Sequence, residues 1–342
     1  MNRFLTLLLA GAACFAAAPV MAQSKTLTIS WWGFNGDKLD QYIVKPFQEK
    51  CGCELVFETG NNADRLNKIK IRDGAGVDVA YFTDAYSQIG IKEGVFQKVD
   101  RSKLPNLAGL YEIAKAPQGE YGPAYSIGRV GIIYDSAKVK TPITSWSDLW
   151  KEELKGQISL PGITTTAGPM MVMIAGGHAG VDAFADADAA FESIEALKPN
   201  VVKNFNTGSE LVNLFSTGEI SVAVAQDFTL AQIQAAVPTA TWAELSDGAI
   251  ATLNTINIPK NAANVELAHE FINFVLDPAL QQTLAENGVD APVATSVKLT
   301  PEQARQWTYG ADVVASLKTV DYEKLNAAKD EWIDRWNEVF GM

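Results

Sequence analysis

The chain has 342 residues, of which 40 are acidic and 28 basic, so its formal net charge is −12. Hydrophobic residues make up 47% of the chain and charged residues 20%, a composition that excludes an intrinsically disordered protein. A length above about 300 residues predicts two domains. The acidic balance excludes nonspecific nucleic-acid binding and docking on anionic membranes, because both need clustered Lys and Arg.

The first 22 residues have the pattern of a secretory signal peptide. Arg3 supplies the positive start, residues 4–18 are apolar apart from Thr6, and Val20-Met21-Ala22 has the small-residue character of a cleavage site. A membrane anchor is the alternative, but the apolar run is shorter than the ~20 residues that a spanning helix needs. We therefore expect an exported protein that is not inserted in the membrane after cleavage.

Two cysteines remain after this cleavage, Cys51 and Cys53. In an oxidising compartment they could form a disulfide across Gly52 or stay as two thiols. Their spacing differs from the Cys-x-x-Cys pattern of redox sites. A metal site is disfavoured because the two histidines, His178 and His269, are far from them in sequence. No metal and no cofactor are predicted.

The first third of the exported chain alternates predicted strands with predicted helices. Runs of β-branched and aromatic residues indicate strands at 27–32, 54–58 and 78–82, and apolar residues at helical spacing indicate helices at 38–50 and 64–72. The order β-α-β-α-β predicts a parallel sheet covered by helices, and therefore an α/β fold.

Two later extended segments, 123–134 and 251–259, predict that the chain leaves one α/β lobe and later returns to it. This pattern gives lobe 1 from 23–124 plus 255–342 and lobe 2 from 125–254. The two crossing segments form the hinge, and a ligand cleft lies between the lobes.

A C-terminal helix is predicted over 322–340, with Trp332, Trp336 and Phe340 at a spacing of four residues. Such a stripe is typical of a helix that packs on its parent domain. A surface for a partner protein is the alternative.

The motifs of catalysis and nucleotide binding are weak or absent. Residues 124–128 are one residue away from the G-x-S-x-G nucleophile elbow, but a strand-like run follows Ser126 where the elbow needs a helix. Residues 74–76 lack the third glycine of a dinucleotide site and precede a strand. We therefore predict no enzyme and no catalytic residue, with an exported enzyme as a minor alternative.

Seven segments of the chain form a familiar combination. They are Trp31-Trp32-Gly33-Phe34-Asn35, Asp78-Val79-Ala80-Tyr81-Phe82-Thr83, Tyr125-Ser126-Ile127-Gly128, Gly131-Ile132-Ile133-Tyr134, Gly218-Glu219-Ile220, the stretch from Ala268 to Pro278, and Gly288-Val289-Asp290-Ala291-Pro292. With them the chain resembles the periplasmic solute-binding proteins of bacterial ABC importers, and more narrowly the spermidine/putrescine-binding type. The resemblance spans nearly the whole exported chain.

This resemblance implies a two-lobe periplasmic-binding-protein fold of type II. It further implies a monomer in the periplasm, a small amine or amino-acid ligand, and an inner-membrane ABC permease as partner. A sensory co-receptor for chemotaxis or signalling is the alternative role.

The resemblance also implies a cleft that holds an amine between aromatic walls and carboxylates. Carried over by position, Trp32 and Phe34 wall the cleft, Thr83 and Asp84 hydrogen-bond the ligand, and Asp227 pairs with the ammonium. Trp32 could instead be a core residue, and Asp84 and Asp227 could be helix caps. The predicted ligand residues on the crossing segments are Tyr125, Arg129 and Asn254.

One departure from the family concerns the predicted strand that ends at Pro161. Polyamine binders tend to carry carboxylates after this strand, whereas this chain continues Gly162-Ile163-Thr164-Thr165-Thr166. A helix predicted over 164–176 places the hydroxyls of Thr164 and Thr165 at its N-terminus, which favours an anion.

Two cations, Arg129 and Lys203, are also expected near the cleft. One acid, Asp227, together with spare cations suits a zwitterion better than a diamine. We therefore hypothesise an ω-amino acid of the γ-aminobutyrate kind, with its carboxylate near the threonines, Arg129 or Lys203. Putrescine or spermidine is the alternative ligand.

Overall fold

The computed structural model describes residues 25–33 and 36–341. The predicted signal peptide at 1–22 lies outside them, as does Phe34. The strands are β1 (Lys25–Trp31), β2 (Cys53–Thr59), β3 (Val79–Thr83), β4 (Phe96–Gln97), β5 (Ala124–Asp135), β6 (Ile158–Pro161), β7 (Val201–Phe205), β8 (Val222–Gln226), β9 (Ala240–Trp242) and β10 (Ile250–Pro259).

The α-helices fill the connections between the strands and the C-terminal region. They are α1 (Gly36–Leu39), α2 (Lys45–Cys51), α3 (Asn62–Ile71), α4 (Asp84–Lys92), α5 (Glu112–Lys115), α6 (Gly168–Ala179), α7 (Ala187–Leu197), α8 (Gly208–Ser216), α9 (Leu230–Ala236), α10 (Val265–Val275), α11 (Pro278–Glu286), α12 (Pro301–Ala304), α13 (Ala311–Ala315) and α14 (Tyr322–Phe340). Within the described ranges, no helix has both the length and the apolar character that crossing a membrane requires.

One mixed sheet runs through the molecule, in the order β2-β1-β3-β10-β5-β8-β6-β7. At one end β1 is parallel to β2 and β3, as the β-α-β-α-β pattern predicts, and at the other end β6 is parallel to β7 and β8. Between these two ends β10 is antiparallel to β3 and β5, and β5 is antiparallel to β8. The two predicted crossing segments are thus the two central strands, and the α/β fold class is confirmed.

Separate hydrophobic cores cover the two ends of the sheet. The first contains Leu27, Phe47 and Phe271, which are at most 1% exposed. The second contains Leu160 and Met170, both fully buried. Each parallel end of the sheet therefore has its own apolar packing, as expected for two lobes that share central strands.

The tryptophans of the C-terminal helix α14 pack on the second core, and the start of the helix also contacts α4. Trp332 and Trp336 are 1% and 0% exposed and belong to the same cluster as Leu160. This differs from the expectation that all of 255–342 belongs to lobe 1. The spacing of four residues identifies the apolar face of a helix but not the surface that covers it. The aromatic stripe is therefore internal packing.

The predicted helix at 38–50 is interrupted by a π-helical turn, Asp40–Val44, between α1 and α2. Its wider turn accommodates Pro46, which has no N–H to donate. α2 ends at Gly52, whose φ of 60° lies in the left-handed region. Cys51 and Cys53 on either side of this glycine are joined as a disulfide, so the structure decides between the two states that the sequence left open.

Replacing a buried tryptophan of α14 tests the packing of this helix on the second core. We expect Trp332→Ala to lower the free energy of unfolding by about 3–5 kcal/mol, because it leaves a cavity in that core. Urea unfolding followed by circular dichroism measures the loss. Asp330→Ala, at an exposed position of the same helix, is the control. A loss no larger than that of the control would contradict the packing.

Candidate functional site

Three polar side chains form a row across the middle of the sheet, where β3 ends. Asn254 on β10 is paired with Thr83 on β3 and, on its other side, with Ser126 on β5. Directly opposed residues of antiparallel strands project to the same face. Among the described residues Asn254 has no side-chain hydrogen-bond partner, and the Thr83 hydroxyl is buried without one. Two predicted ligand residues are therefore together and have unused hydrogen-bonding capacity.

Three aromatic rings lie beside this row, and we call Trp32, Tyr81 and Tyr125 the aromatic cage. The ring centroids of Tyr81 and Tyr125 are 4.9 Å apart, and Trp32 lies 5.9 Å from the first and 6.3 Å from the second. The planes of Tyr81 and Trp32 are nearly perpendicular, at 79°. Trp32 is half-buried, so the predicted wall residue is neither fully in the core nor free in solvent.

Asp290 places a carboxylate next to the aromatic cage. Burial raises the pKa of Asp290 to about 7, against the hydrogen bond from the Ser126 hydroxyl, which lowers it. Burial and then the charge of Asp290 raise the pKa of Tyr81 and of Tyr125 well above their ordinary value. No ion pair between described residues includes Asp290. A largely buried carboxylate beside aromatic rings, with no cation of its own, is suited to receive one.

A buried arginine, Arg65, contacts the Trp32 ring of the aromatic cage. Arg65 is 1% exposed and burial lowers its pKa to about 10. Its Nη2 donates to Asn62 Oδ1 at 2.9 Å, and the Trp32 indole N–H donates to the same oxygen at 3.0 Å. The guanidinium also lies 5.2 Å from the Trp32 ring centre. Arg65 therefore orients Trp32 from behind.

Asp84, a predicted ligand residue, is used inside the fold. One carboxylate oxygen accepts from the backbone N–H of Ala85 at 2.9 Å and the other from that of Leu253 at 3.0 Å. Burial raises the pKa of Asp84 to about 7, while these bonds and the adjacent Tyr322 hydroxyl lower it. Asp84 is 3% exposed and connects α4 with the central strand β10 and with the start of α14.

Asp227, the predicted ammonium partner, also has partners in the protein. The Thr308 hydroxyl donates to its carboxylate. Burial raises the pKa of Asp227, whereas Thr308 and the positive charge of Arg129 lower it. Arg129 lies 5.1 Å from the ring centre of Trp242, and its Nε is buried without a hydrogen-bond partner in the described part of the chain. Thr308 and the nearby Arg129 thus offset part of the effect of burial on Asp227.

The predicted anion-binding residues of the second half are mostly engaged elsewhere. α6 begins at Gly168, so the threonines precede the helix instead of opening it. The Thr165 hydroxyl donates to the Gly162 carbonyl at 2.8 Å, whereas Thr164 is exposed. Lys203 is exposed and forms an ion pair of 2.7 Å with Glu210, which raises its pKa. Lys203 is therefore not a spare cation.

Tyr81 of the cage and the adjacent Asp290 are candidate site residues that the sequence analysis did not select. Tyr81 lies two residues before Thr83, and the alternation of side chains along a strand could have identified it. Asp290 lies in the irregular segment after α11, where no periodicity applies. Only the tertiary structure brings it to Tyr125.

Removing the charge of Asp290 should stabilise the ligand-free protein at high pH. The folded state holds this proton up to about pH 7, whereas the unfolded chain releases it near pH 4, so its contribution to stability is lost as the pH rises between these values. We expect Asp290→Asn to raise the free energy of unfolding by about 1–2 kcal/mol at pH 8 and to leave it nearly unchanged at pH 4.

Urea unfolding at both pH values measures this difference. Asp330→Asn, on the exposed face of α14, should change stability little at either pH. Equal stability of Asp290→Asn and the parent protein at pH 8 would contradict the uncompensated carboxylate.

Known proteins resemble the chain in both sequence and fold. The model of the family "Bacterial extracellular solute-binding protein" matches residues 42–311. The spermidine/putrescine-binding periplasmic protein of Escherichia coli is 27% identical over 312 residues, which cover 84% of this chain and 88% of that protein.

Solved structures give the same result. An ABC transporter protein from Clostridium perfringens is 42% identical, with a TM-score of 0.86 over 92% of this chain and 99% of that one. The structure described as the Atu4243-GABA receptor is 18% identical, with a TM-score of 0.75 over 92% of this chain and 97% of that one, and it supports the fold alone. The chain therefore belongs to the bacterial extracellular solute-binding protein family.

Proposed function

We propose that the protein binds a small solute with a single ammonium group between its lobes and delivers it to an inner-membrane ABC permease. An ω-amino acid of the γ-aminobutyrate kind is the favoured ligand. The observation that carries this proposal is Asp290, a carboxyl group beside the aromatic cage that forms no ion pair with any residue in the described ranges.

The amine end of the ligand would lie between Asp290 and the cage. An ammonium there gains a carboxylate partner and the attraction of aromatic faces, which together offset its loss of water. Its charge would also lower the pKa of Asp290, so binding near pH 7 releases a proton. This moves the ammonium partner from Asp227, as the sequence suggested, to Asp290.

The count of free carboxylates favours one ammonium over two. Asp84 accepts two backbone hydrogen bonds, and Asp227 accepts one from Thr308 and lies near Arg129. Asp290 is left as the acid near the row of polar residues that has no cationic partner among the residues that the structure describes. A diamine would need a second anion for its second ammonium.

The other end of the ligand would meet neutral groups. Thr83 and Asn254 offer hydrogen-bonding groups without partners in the described residues. A carboxylate bound by these groups suits an amino acid, and lobe closure would follow from ligand contacts made only in the closed state.

The relatives provide the competing ligand. The Escherichia coli protein is named for spermidine and putrescine, whereas the more distant structural neighbour is named for GABA. Calorimetry of the purified protein at pH 7.5 with γ-aminobutyrate, putrescine and spermidine tests the choice. We expect tight binding of γ-aminobutyrate with weak or no diamine binding. The reverse order would contradict the proposed ligand.

Single substitutions test the amine position with the ligand that binds. We expect Asp290→Asn to weaken binding by about 2–5 kcal/mol, because the buried ammonium loses its charged partner. An exposed control, Asp330→Asn, should bind like the parent. Unchanged affinity in Asp290→Asn, together with loss of binding in Asp227→Asn, would return the ammonium to Asp227.

Adding a second carboxylate should change the ligand preference. We expect Asn254→Asp to raise the affinity for putrescine and to lower that for γ-aminobutyrate, each by about tenfold or more, because the new charge attracts an ammonium and repels a carboxylate. Asn254→Ser removes the amide without adding charge and should not increase putrescine binding. Calorimetry with both ligands measures the ratio. An unchanged ratio in Asn254→Asp would place position 254 outside the site.

A further inference from the structure

A buried amide connects the wall of the cage with the segment that carries Asp290. Gln281, on α11, is 2% exposed. Its Nε2 donates to the Tyr125 carbonyl at 3.1 Å and to the Val275 carbonyl at 3.3 Å. Its Oε1 accepts from the backbone N–H groups of Val293 and Ala294, both at 2.9 Å.

These four hydrogen bonds use the full donor capacity of the amide and two acceptor positions of its oxygen. They join backbone groups of the central strand β5, the end of α10 and residues 293–294. Residue 290 is three positions before the second group of bonds, and residue 125 belongs to the cage. The side chain of Gln281 therefore connects the backbone near Asp290 with the backbone of Tyr125 in the aromatic cage.

A second observation brings the same two segments together. The Ser126 hydroxyl, next to Tyr125 on β5, is near enough to Asp290 to lower the pKa of its carboxyl. Gln281 fixes the backbone of the segment that carries this carboxyl. Without Gln281, two buried N–H groups would lose their acceptor, and residues 290–294 could relax toward solvent.

We propose that Gln281 is a positioning residue of the binding site, which holds Asp290 against the aromatic cage by tying residues 290–294 to the carbonyl of Tyr125. This inference rests on the proposed function, because it takes Asp290 and the aromatic cage to be the ligand-binding site. A purely structural role would make Gln281 matter for stability alone.

The next residue along α11 provides a matched control. Gln282 Nε2 donates to the Lys298 carbonyl at 2.8 Å, and its Oε1 accepts from the Lys298 N–H, also at 2.8 Å. It thus ties another part of the same segment at a more exposed position, away from the cage, and its Nε2 also donates to Glu286 Oε1 at 2.6 Å. Gln282→Leu should reduce stability without changing the site.

The experiment compares Gln281→Leu and Gln281→Met with Gln282→Leu in the full exported chain. Gln281→Met is neutral and keeps the length of the side chain without its hydrogen bonds, so it remains informative if the leucine variant does not fold. Carbon-detected NMR of the carboxyl group in the ligand-free protein gives the pKa of Asp290. Calorimetry gives the affinity for γ-aminobutyrate and for putrescine.

We expect both Gln281 variants to lower the pKa of Asp290 by about one unit or more, because the carboxylate gains water. We also expect them to weaken binding of whichever amine binds the parent by about tenfold or more. Gln282→Leu should change neither quantity. An unchanged pKa of Asp290 in folded Gln281 variants would overturn the inference.

The two readouts separate this inference from the proposed function. If neither amine binds the parent protein, the proposed function fails, and the pKa of Asp290 still decides the role of Gln281. If Gln281→Leu loses stability as Gln282→Leu does, with the pKa and the affinity both unchanged, Gln281 is a structural residue only.

Discussion

The pairing of β5 with β10 is the constraint on which the rest of the structure depends. Each strand belongs to the middle of the sheet, and through them the parallel end around β1 is continuous with the parallel end around β6. Their register also sets the row of Thr83, Asn254 and Ser126, because β3 pairs on the outer side of β10. The same backbone hydrogen bonds therefore connect the two cores and place the polar groups of the site at their junction.

Electrostatics gives the buried acids of this junction different roles. Asp84 and Asp227 have hydrogen-bond donors or a cation within the protein, and each fixes the contact between elements. Burial raises the pKa of Asp290 to about 7, and no described residue forms an ion pair with it, so its ionisation costs stability in the ligand-free protein. Under the proposed function, a bound ammonium would remove the free-energy cost of the ionised Asp290, and this gain would contribute to affinity. The acid that has no ion-pair partner among the described residues is therefore the one proposed to bind the ligand.

Local patterns predicted much of the fold for simple physical reasons. Strands at 27–32, 54–58 and 78–82 are buried apolar runs, and their alternation with helices permits only a parallel arrangement. The crossing segments were recognisable because each is a long extended run. The sequence did not predict which surface each helix packs on. The tryptophans of α14 pack on the second core, and periodicity defines the apolar face of a helix but not the surface that covers it.

The sequence by itself determined the α/β class and the central position of two crossing segments, which follow from local periodicity and from a family resemblance. The same resemblance predicted Trp32, Thr83, Tyr125 and Asn254 as ligand residues, and their role in binding stays a prediction. Only the tertiary structure decided which charges are free. It pairs Lys203 with Glu210, sets Arg129 beside Asp227, and brings Asp290 to the cage. Compensation of a charge is a property of distances between residues remote in sequence, and no local pattern encodes it.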